Sequence, residues 1–294
     1  MKIVRYSYNG KTAFGIAERE QIAPLTAFGI PEVGTLAELA ALDAEKGLDT
    51  YVAAAGEKAW KDAIPASDAA ILAPCVRPPH DIICVGVNYR AHREELDGQH
   101  MSDGGSNILF FGKRCSRMTN PGETLVYDPA LDDTLDYEVE LAVVIGRTGK
   151  NIPREEVPDY VFGYSVFNDF SLRGTQKGRG QWYLGKSADG LSAMGPCILH
   201  HSGVAYPPQF SLRSIVNGEV RQSSHTSLFL ADITDIVADA SRFITLEPGD
   251  IIATGTPGGV GFGFNPPKFL HDGDSVICEI SEIGALENSI KAKK

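Results

Sequence analysis

The chain has 294 residues, enough for one large domain or a small domain joined to a larger one, and 43% of them are hydrophobic. Its 27 Lys and Arg against 38 Asp and Glu give a formal net charge of −11, which excludes a partner that must be held through its phosphate backbone, nucleic acid included. The amino terminus MKIVRYSYNG lacks an apolar signal core and no apolar run approaches the ~20 residues of a membrane span, so the sequence reads as soluble, cytoplasmic and free of a membrane partner.

In chain order, IVRYSY alternates, turns at Asn9-Gly10 and resumes in KTAFGIA, which predicts a β-hairpin. Two helical stretches follow, one opened by Thr35 and Glu38 in capping-box spacing, the other around YVAAAGEKAW. The proline-rich APCVRPPH then marks a boundary, giving a small β-containing amino-terminal domain over residues 1–71 and a main domain over 72–294. Short β-rich runs dominate the main domain: IICVGV, ILFFGK, LDYEVELAVVIG, YVFGYSVFND, IIATGT and SVICEI. The predicted class is therefore mostly β with short helices, an α+β architecture, rather than a doubly wound parallel sheet. The five cysteines, Cys75, Cys84, Cys115, Cys197 and Cys278, have no CxxC spacing and read as reduced packing residues.

LDYEVELAVVIG carries the first chemical signal. Read as one strand, it puts Asp136, Glu138 and Glu140 on one face, where ionised carboxylates repel unless a cation or a proton lies between them. YVFGYSVFND ends in Asp169, an acid where an apolar strand meets a loop. With no His-x-His or Cys pair nearby, Glu138, Glu140 and Asp169 suit a hard cation, Mg²⁺ or Mn²⁺, and Asp136 is left to a supporting or surface role.

GVNYRAHREELDG places His92 and Glu95 on one face of a short helix, with Glu94 as the alternative partner in a shifted register. Gly86, Gly98 and the polar HMSDGGSN around it suit a movable lid. In WYLGKSADG, Lys186 is a lone cation, followed by Asp189 and a turn expected at Gly195-Pro196. IIATGTPGGVGFGF fails the Walker and Rossmann patterns. It reads instead as a strand running into a glycine loop that approaches a small ligand, with Thr256 as hydroxyl donor.

GVNYRAHREE, LDYEVELAVVIGR, FGYSVFNDFSLRGTQ, WYLGKSADG with its following GP, VNGEVRQ and LEPGDIIATGTPGGVG, in this order over about residues 72–288, resemble the fumarylacetoacetate hydrolase family. The resemblance implies a mixed β-sandwich roll, usually a homodimer. It assigns Mg²⁺ or Mn²⁺ to Glu138, Glu140 and Asp169, catalytic roles to His92, Glu95 and Lys186, and substrate contacts to Arg173, Gln176 and Thr256. The expected reaction is hydrolysis of a C–C bond in a β-diketo acid such as an acylpyruvate, fumarylpyruvate or sugar-derived diketo acid. Oxaloacetate decarboxylation and dienoate isomerisation or hydration are rivals, as is a non-catalytic dicarboxylate-binding protein. Gly174, Ala188, Gly190 and Leu191 depart from the usual family residues and are expected to reshape the pocket near Lys186.

Overall fold

The structure is a computed structural model that describes residues 1–95 and 108–293. The hairpin forms as expected: Lys2–Tyr8 and Lys11–Glu18 pair antiparallel, and Asn9 and Gly10 take φ of 49° and 74°, the left-handed values that a tight two-residue turn requires. Thr35 caps the helix Leu36–Lys46 by accepting from the Glu38 N–H, while the Glu38 carboxylate reaches back one residue further, to the Gly34 N–H. A second helix, Leu48–Ala55, passes into a 3₁₀ segment over Gly56–Asp62.

The expected mostly β architecture is what the chain adopts, built on mixed sheets. A sheet of eleven strands runs in the order Ile64–Pro65, Gln21–Pro24, Lys11–Glu18, Lys2–Tyr8, Ser192–His200, Val161–Asp169, Val139–Ile145, Ile251–Ala253, Ile82–Val85 and Phe110–Lys113, with Ala70–Leu72 added on Lys2–Tyr8. Only Ile251–Ala253 and Ile82–Val85 pair in parallel within it. The amino-terminal strands thus join the main sheet through backbone bonds, Lys2 facing Leu199 and Ile3 facing Ile198. A second sheet of five strands, Glu219–His225, Ser211–Val216, Ser275–Ile280, Gly284–Ala292 and Thr124–Tyr127, packs on one face of the first.

Val139–Ile145 and Val161–Asp169 are buried along their whole length, which explains their continuous apolar runs. Leu141, Val143 and Val166 pack toward Leu212, Val216 and Val276 of the second sheet. Ala142, Val144 and Phe167 point the other way, into a core shared with Phe28, Leu36 and Leu39 of the amino-terminal segment.

Two expectations change here. LDYEVELAVVIG is not one strand: Leu135–Asp136 pairs with Ser171–Leu172 in a separate two-stranded ribbon, and the ladder of the large sheet starts at Val139. The break follows from hydrogen bonding, since the Asp136 carboxylate takes the Tyr137 N–H and the Asn168 side chain takes the Glu138 N–H. Gly195-Pro196 is not a turn but lies inside the strand Ser192–His200, where the pairing with Val161–Asp169 shifts register. All five cysteines are buried and free.

Candidate active site

The acids meet where the strands of the large sheet end. Asp169 closes its strand, its N–H donating to the Glu138 carbonyl at 3.0 Å, and Glu140 lies opposite Phe167. One carboxylate oxygen from each of Glu138, Glu140 and Asp169 falls within 4.8 Å of the others, and all three side chains are buried. Strand parity puts Glu140 on the face of Ala142 and Asp169 on the face of Phe167, the same side of the sheet.

Cations surround the cluster unevenly. Lys186 Nζ lies 2.6 Å from Glu138 Oε2 and 2.7 Å from Asp169 Oδ2. Arg173 Nη2 lies 2.6 Å from Glu138 Oε1, and Lys113 Nζ lies 2.6 Å from Asp169 Oδ1. The last two are ion pairs off the hydrogen-bond direction, so Arg173 Nη2 and Asp169 Oδ1 keep no aligned hydrogen-bond partner among the described residues. For Glu140 the hydrogen bond is to the Gly255 N–H at 2.8 Å. Burial, and then the charges of Asp169 and Glu138, push the Glu140 carboxyl well above the usual range. Burial also raises Glu138, but Lys186, Arg173 and His92 outweigh it and hold that carboxyl below the usual range. Lys186 moves up, because Asp169 and Glu138 outweigh its own burial.

This arrangement fits a divalent cation. Four buried carboxylates, Asp136, Glu138, Glu140 and Asp169, face three buried cations, Lys113, Arg173 and Lys186, and the uncompensated charge falls on Glu140 beside the unaligned Asp169 oxygen. Oxygen-only donors are the set that Mg²⁺ and Mn²⁺ accept.

His92 is buried on the short helix Arg90–Glu95, its Nδ1 3.1 Å from Glu95 Oε2. The other Glu95 oxygen accepts the Gly259 N–H at 2.5 Å. The partner is therefore Glu95, not Glu94. Gly98 and HMSDGGSN lie outside the described residues.

The glycine loop is fastened to two carboxylates. Its Gly259 N–H goes to Glu95, and its Gly261 and Phe262 N–H groups go to the two oxygens of Asp136 at 2.7 and 3.0 Å. Its backbone thus approaches protein carboxylates at three positions. At Gly263 a Cβ would stand 2.7 Å from the Glu95 carboxyl carbon, so the loop must be bare for the helix to sit on it. The Thr256 hydroxyl donates to the Val139 carbonyl at 3.0 Å and accepts from Gln222 at 2.7 Å, so both of its roles are used inside the protein.

Asp136 is fully buried and excluded from the surface role. It holds Arg173 through Nε at 2.8 Å, while Arg173 Nη1 donates to Gln176 at 3.0 Å. The resulting cleft, about 30 Å³, is lined by Val85, His92, Glu138, Arg173, Gln176 and Lys186 together with Phe111, Lys177, Trp182 and Phe262. Gly174, Ala188, Gly190 and Leu191 do not line it, contrary to expectation. Gly174 instead backs onto Asp132, whose carboxylate takes the Thr175 N–H at 2.5 Å, and Leu191 belongs to the apolar core.

Sequence reasoning missed Lys113, Lys177 and Trp182. The signal for Lys113 was a lysine closing the apolar run ILFFGK, since a cation at the end of a buried strand needs a buried anion. Lys177 stands one residue beyond Gln176, with its Nζ 2.9 Å above the Phe262 ring. Trp182 meets Phe111 edge to face at 5.2 Å.

Comparison with known proteins agrees with this geometry. Residues 81–291 match the model of the fumarylacetoacetate (FAA) hydrolase C-terminal family, and residues 1–74 match one described as Rv2993c-like, N-terminal. The chain is 42% identical over 224 residues to oxaloacetate tautomerase YisK of Bacillus subtilis, covering 76% of this chain and 74% of that protein. A fumarylacetoacetate hydrolase from Exiguobacterium antarcticum superposes over 100% of both chains with a TM-score of 0.84 and 36% identity. Maleylpyruvate hydrolase from Sphingobium sp. SYK-6, solved in complex with manganese (II) ion and pyruvate, does so over 100% of both chains at 0.79 and 29%. The chain belongs to the fumarylacetoacetate hydrolase family.

Proposed function

We propose that the protein forms and discharges the enolate of a 2-oxo acid, and that its reaction is the keto–enol interconversion of a small 2-oxo dicarboxylate such as oxaloacetate. The observation that carries this reading is the composition of the cleft: beside the carboxylate cluster its polar groups are cationic or amide, Arg173, Lys177, Lys186 and Gln176, with His92 as the base. A divalent cation, Mg²⁺ or Mn²⁺, held by Glu138, Glu140 and Asp169 supplies Lewis-acid polarisation of a bound keto oxygen.

Glu95 takes the Nδ1–H of His92, which leaves Nε2 as the free base of a residue lining the cleft. It moves a proton between the carbon next to the keto group and the enol oxygen, and no water is consumed. Arg173 and Gln176, bonded to each other, orient the carboxylate beside the keto group. Lys177 faces the second carboxylate, and Lys186 adds positive charge where the enolate forms. Thr256 holds the loop to the Val139 carbonyl, and it contacts substrate only if its hydroxyl exchanges that partner. The likeness to an oxaloacetate tautomerase supports the substrate class.

The second reading is hydrolysis of a β-diketo acid. It is favoured by the carboxylate-held His92, an arrangement that can activate water, and by the likeness to maleylpyruvate hydrolase. Water then adds to the distal carbonyl and the C–C bond breaks, giving a 2-oxo acid and a carboxylic acid. We take the working unit to be a cytoplasmic homodimer with a domain boundary near residue 72, to be checked by light scattering and limited proteolysis.

The deciding experiment follows loss of the enol absorbance of oxaloacetate, and cleavage of acylpyruvates and fumarylpyruvate, with Mg²⁺ and with Mn²⁺. Faster tautomerisation that falls by about 10²–10⁴-fold in His92→Ala supports the first reading. Acylpyruvate cleavage without tautomerisation replaces it with the second, and loss of oxaloacetate with release of CO₂ replaces both with decarboxylation.

A further inference from the structure

Far from the cleft, the amino-terminal helix and the large sheet bring Asp43, His200 and His201 together. We propose that these residues form a second metal site, for a divalent transition ion of the zinc type, that clips the amino-terminal helix Leu36–Lys46 to the end of the strand Ser192–His200. Asp43 Oδ2 lies 3.1 Å from His200 Nε2 and 3.7 Å from His201 Nε2, and one ligand atom from each residue falls within 4.8 Å of the others. Bonds of ~2.0–2.1 Å to nitrogen and oxygen in a tetrahedron put neighbouring ligand atoms about 3.4 Å apart. The two measured edges bracket that value.

The surroundings aim the ligands. The other Asp43 oxygen, Oδ1, is occupied by the Leu48 N–H at 2.7 Å, leaving Oδ2 toward the histidines. His200 is 1% exposed. Its Nδ1 lies 2.9 Å from Ser202 Oγ, which donates its own proton to Asp49 at 2.9 Å. The Ser202 N–H also points at Nδ1, at 3.4 Å, and Nε2 faces Asp43 Oδ2, where a metal ion would take the place of a ring proton. A histidine whose far nitrogen is held by a hydroxyl and a carboxylate is the usual arrangement behind a metal ligand. Imidazole with one carboxylate suits zinc, cobalt or nickel, unlike the all-oxygen set of the cleft.

The test uses tag-free full-length protein kept in excess Mg²⁺, so that the carboxylate site is filled. Zinc or cobalt is added at micromolar concentration, and retained metal is measured after desalting, with the visible bands of tetrahedral Co²⁺ as a second readout. One equivalent should be retained by wild type and by Glu140→Gln, and lost in His201→Ala, where the side chain is 41% exposed and the fold tolerates truncation. Asp49→Asn should weaken retention by about 10–100-fold, as expected for a group that orients a ligand. Circular dichroism confirms that the variants are folded. Retention that survives His201→Ala, or that disappears in Glu140→Gln alone, overturns the site. Wild type that retains no zinc also overturns it and leaves a histidine–carboxylate hydrogen bond.

Discussion

Replacing Glu140 by glutamine should separate the electrostatic cost of the carboxylate cluster from its affinity for metal. Without a cation, the folded-state pKa of Glu140 lies above its unfolded value because of burial, Asp169 and Glu138. The native state then binds its proton more tightly than the unfolded chain. The stability this group contributes is complete below the unfolded pKa, about 4.5, and is lost as pH rises toward the folded value, at about 1.4 kcal/mol per pH unit. At ~2.1 cal/mol/K per residue, 294 residues unfolding together have a transition entropy of about 0.6 kcal/mol/K, so each kcal/mol moves Tm by roughly 1.6 °C. In chelator, Glu140→Gln should therefore gain on wild type as pH rises above 5, by about 2 °C per pH unit until the folded pKa is reached. Added metal reverses the order: at a hundred times its Kd it stabilises wild type by about 2.7 kcal/mol, roughly 4 °C, and the glutamine variant by much less. Thermal scans by circular dichroism from pH 5 to 8, with EDTA and with Mn²⁺, read both effects. Parallel curves for the two proteins in EDTA, or equal metal shifts, would refute the reasoning.

Other changes bear on separate parts of the site. Lys113→Met leaves the Asp169 charge with Lys186 as its remaining buried cation and should destabilise the protein in denaturant unfolding, by less than the ~3–5 kcal/mol of a wholly unpaired buried charge, with most of the loss recovered when metal is bound. Asp136→Asn releases Arg173 and two loop N–H groups together, so KM for the 2-oxo acid should rise along with a fall in kcat, whereas Lys177→Ala should raise KM for dicarboxylates and leave monocarboxylates unaffected. Gly263→Ala puts a methyl against the Glu95 carboxyl and should lower kcat more than it raises KM in steady-state assays, since the partner of His92 is displaced.

The parts of the site that could be read in the sequence are those whose partners lie close along the chain or whose chemistry is self-evident. Glu138 and Glu140 stand two apart where a strand begins, His92 and Glu95 stand three apart on a helix, and Asn9-Gly10 fixes its own turn. The choice between a supporting and a surface role for Asp136 stayed open because it depends on N–H groups 125 and 126 residues away, at Gly261 and Phe262. Lys113 reaches Asp169 across the fold, and neither neighbourhood hints at the other. The histidine pair His200-His201 carried no signal for the same reason, with Asp43 lying 157 residues before His200. The continuation of the sheet from Lys2–Tyr8 into Ser192–His200 was equally hidden, because edge pairing depends on long-range register rather than local pattern.

The glycine loop gives its two carboxylate partners a common foundation. Glu95 behind the base and Asp136 behind the clamp rest on backbone amides three residues or fewer apart, at Gly259, Gly261 and Phe262. Their spacing is therefore set by main chain and is indifferent to most side-chain substitution nearby. The side chains of Phe262, Lys177 and Trp182, which line the cleft, take no part in those amide contacts. A lineage could exchange those side chains to accept a different acyl group while base and clamp stayed in step, whereas a single inserted residue between Gly259 and Gly261 would put them out of phase at once.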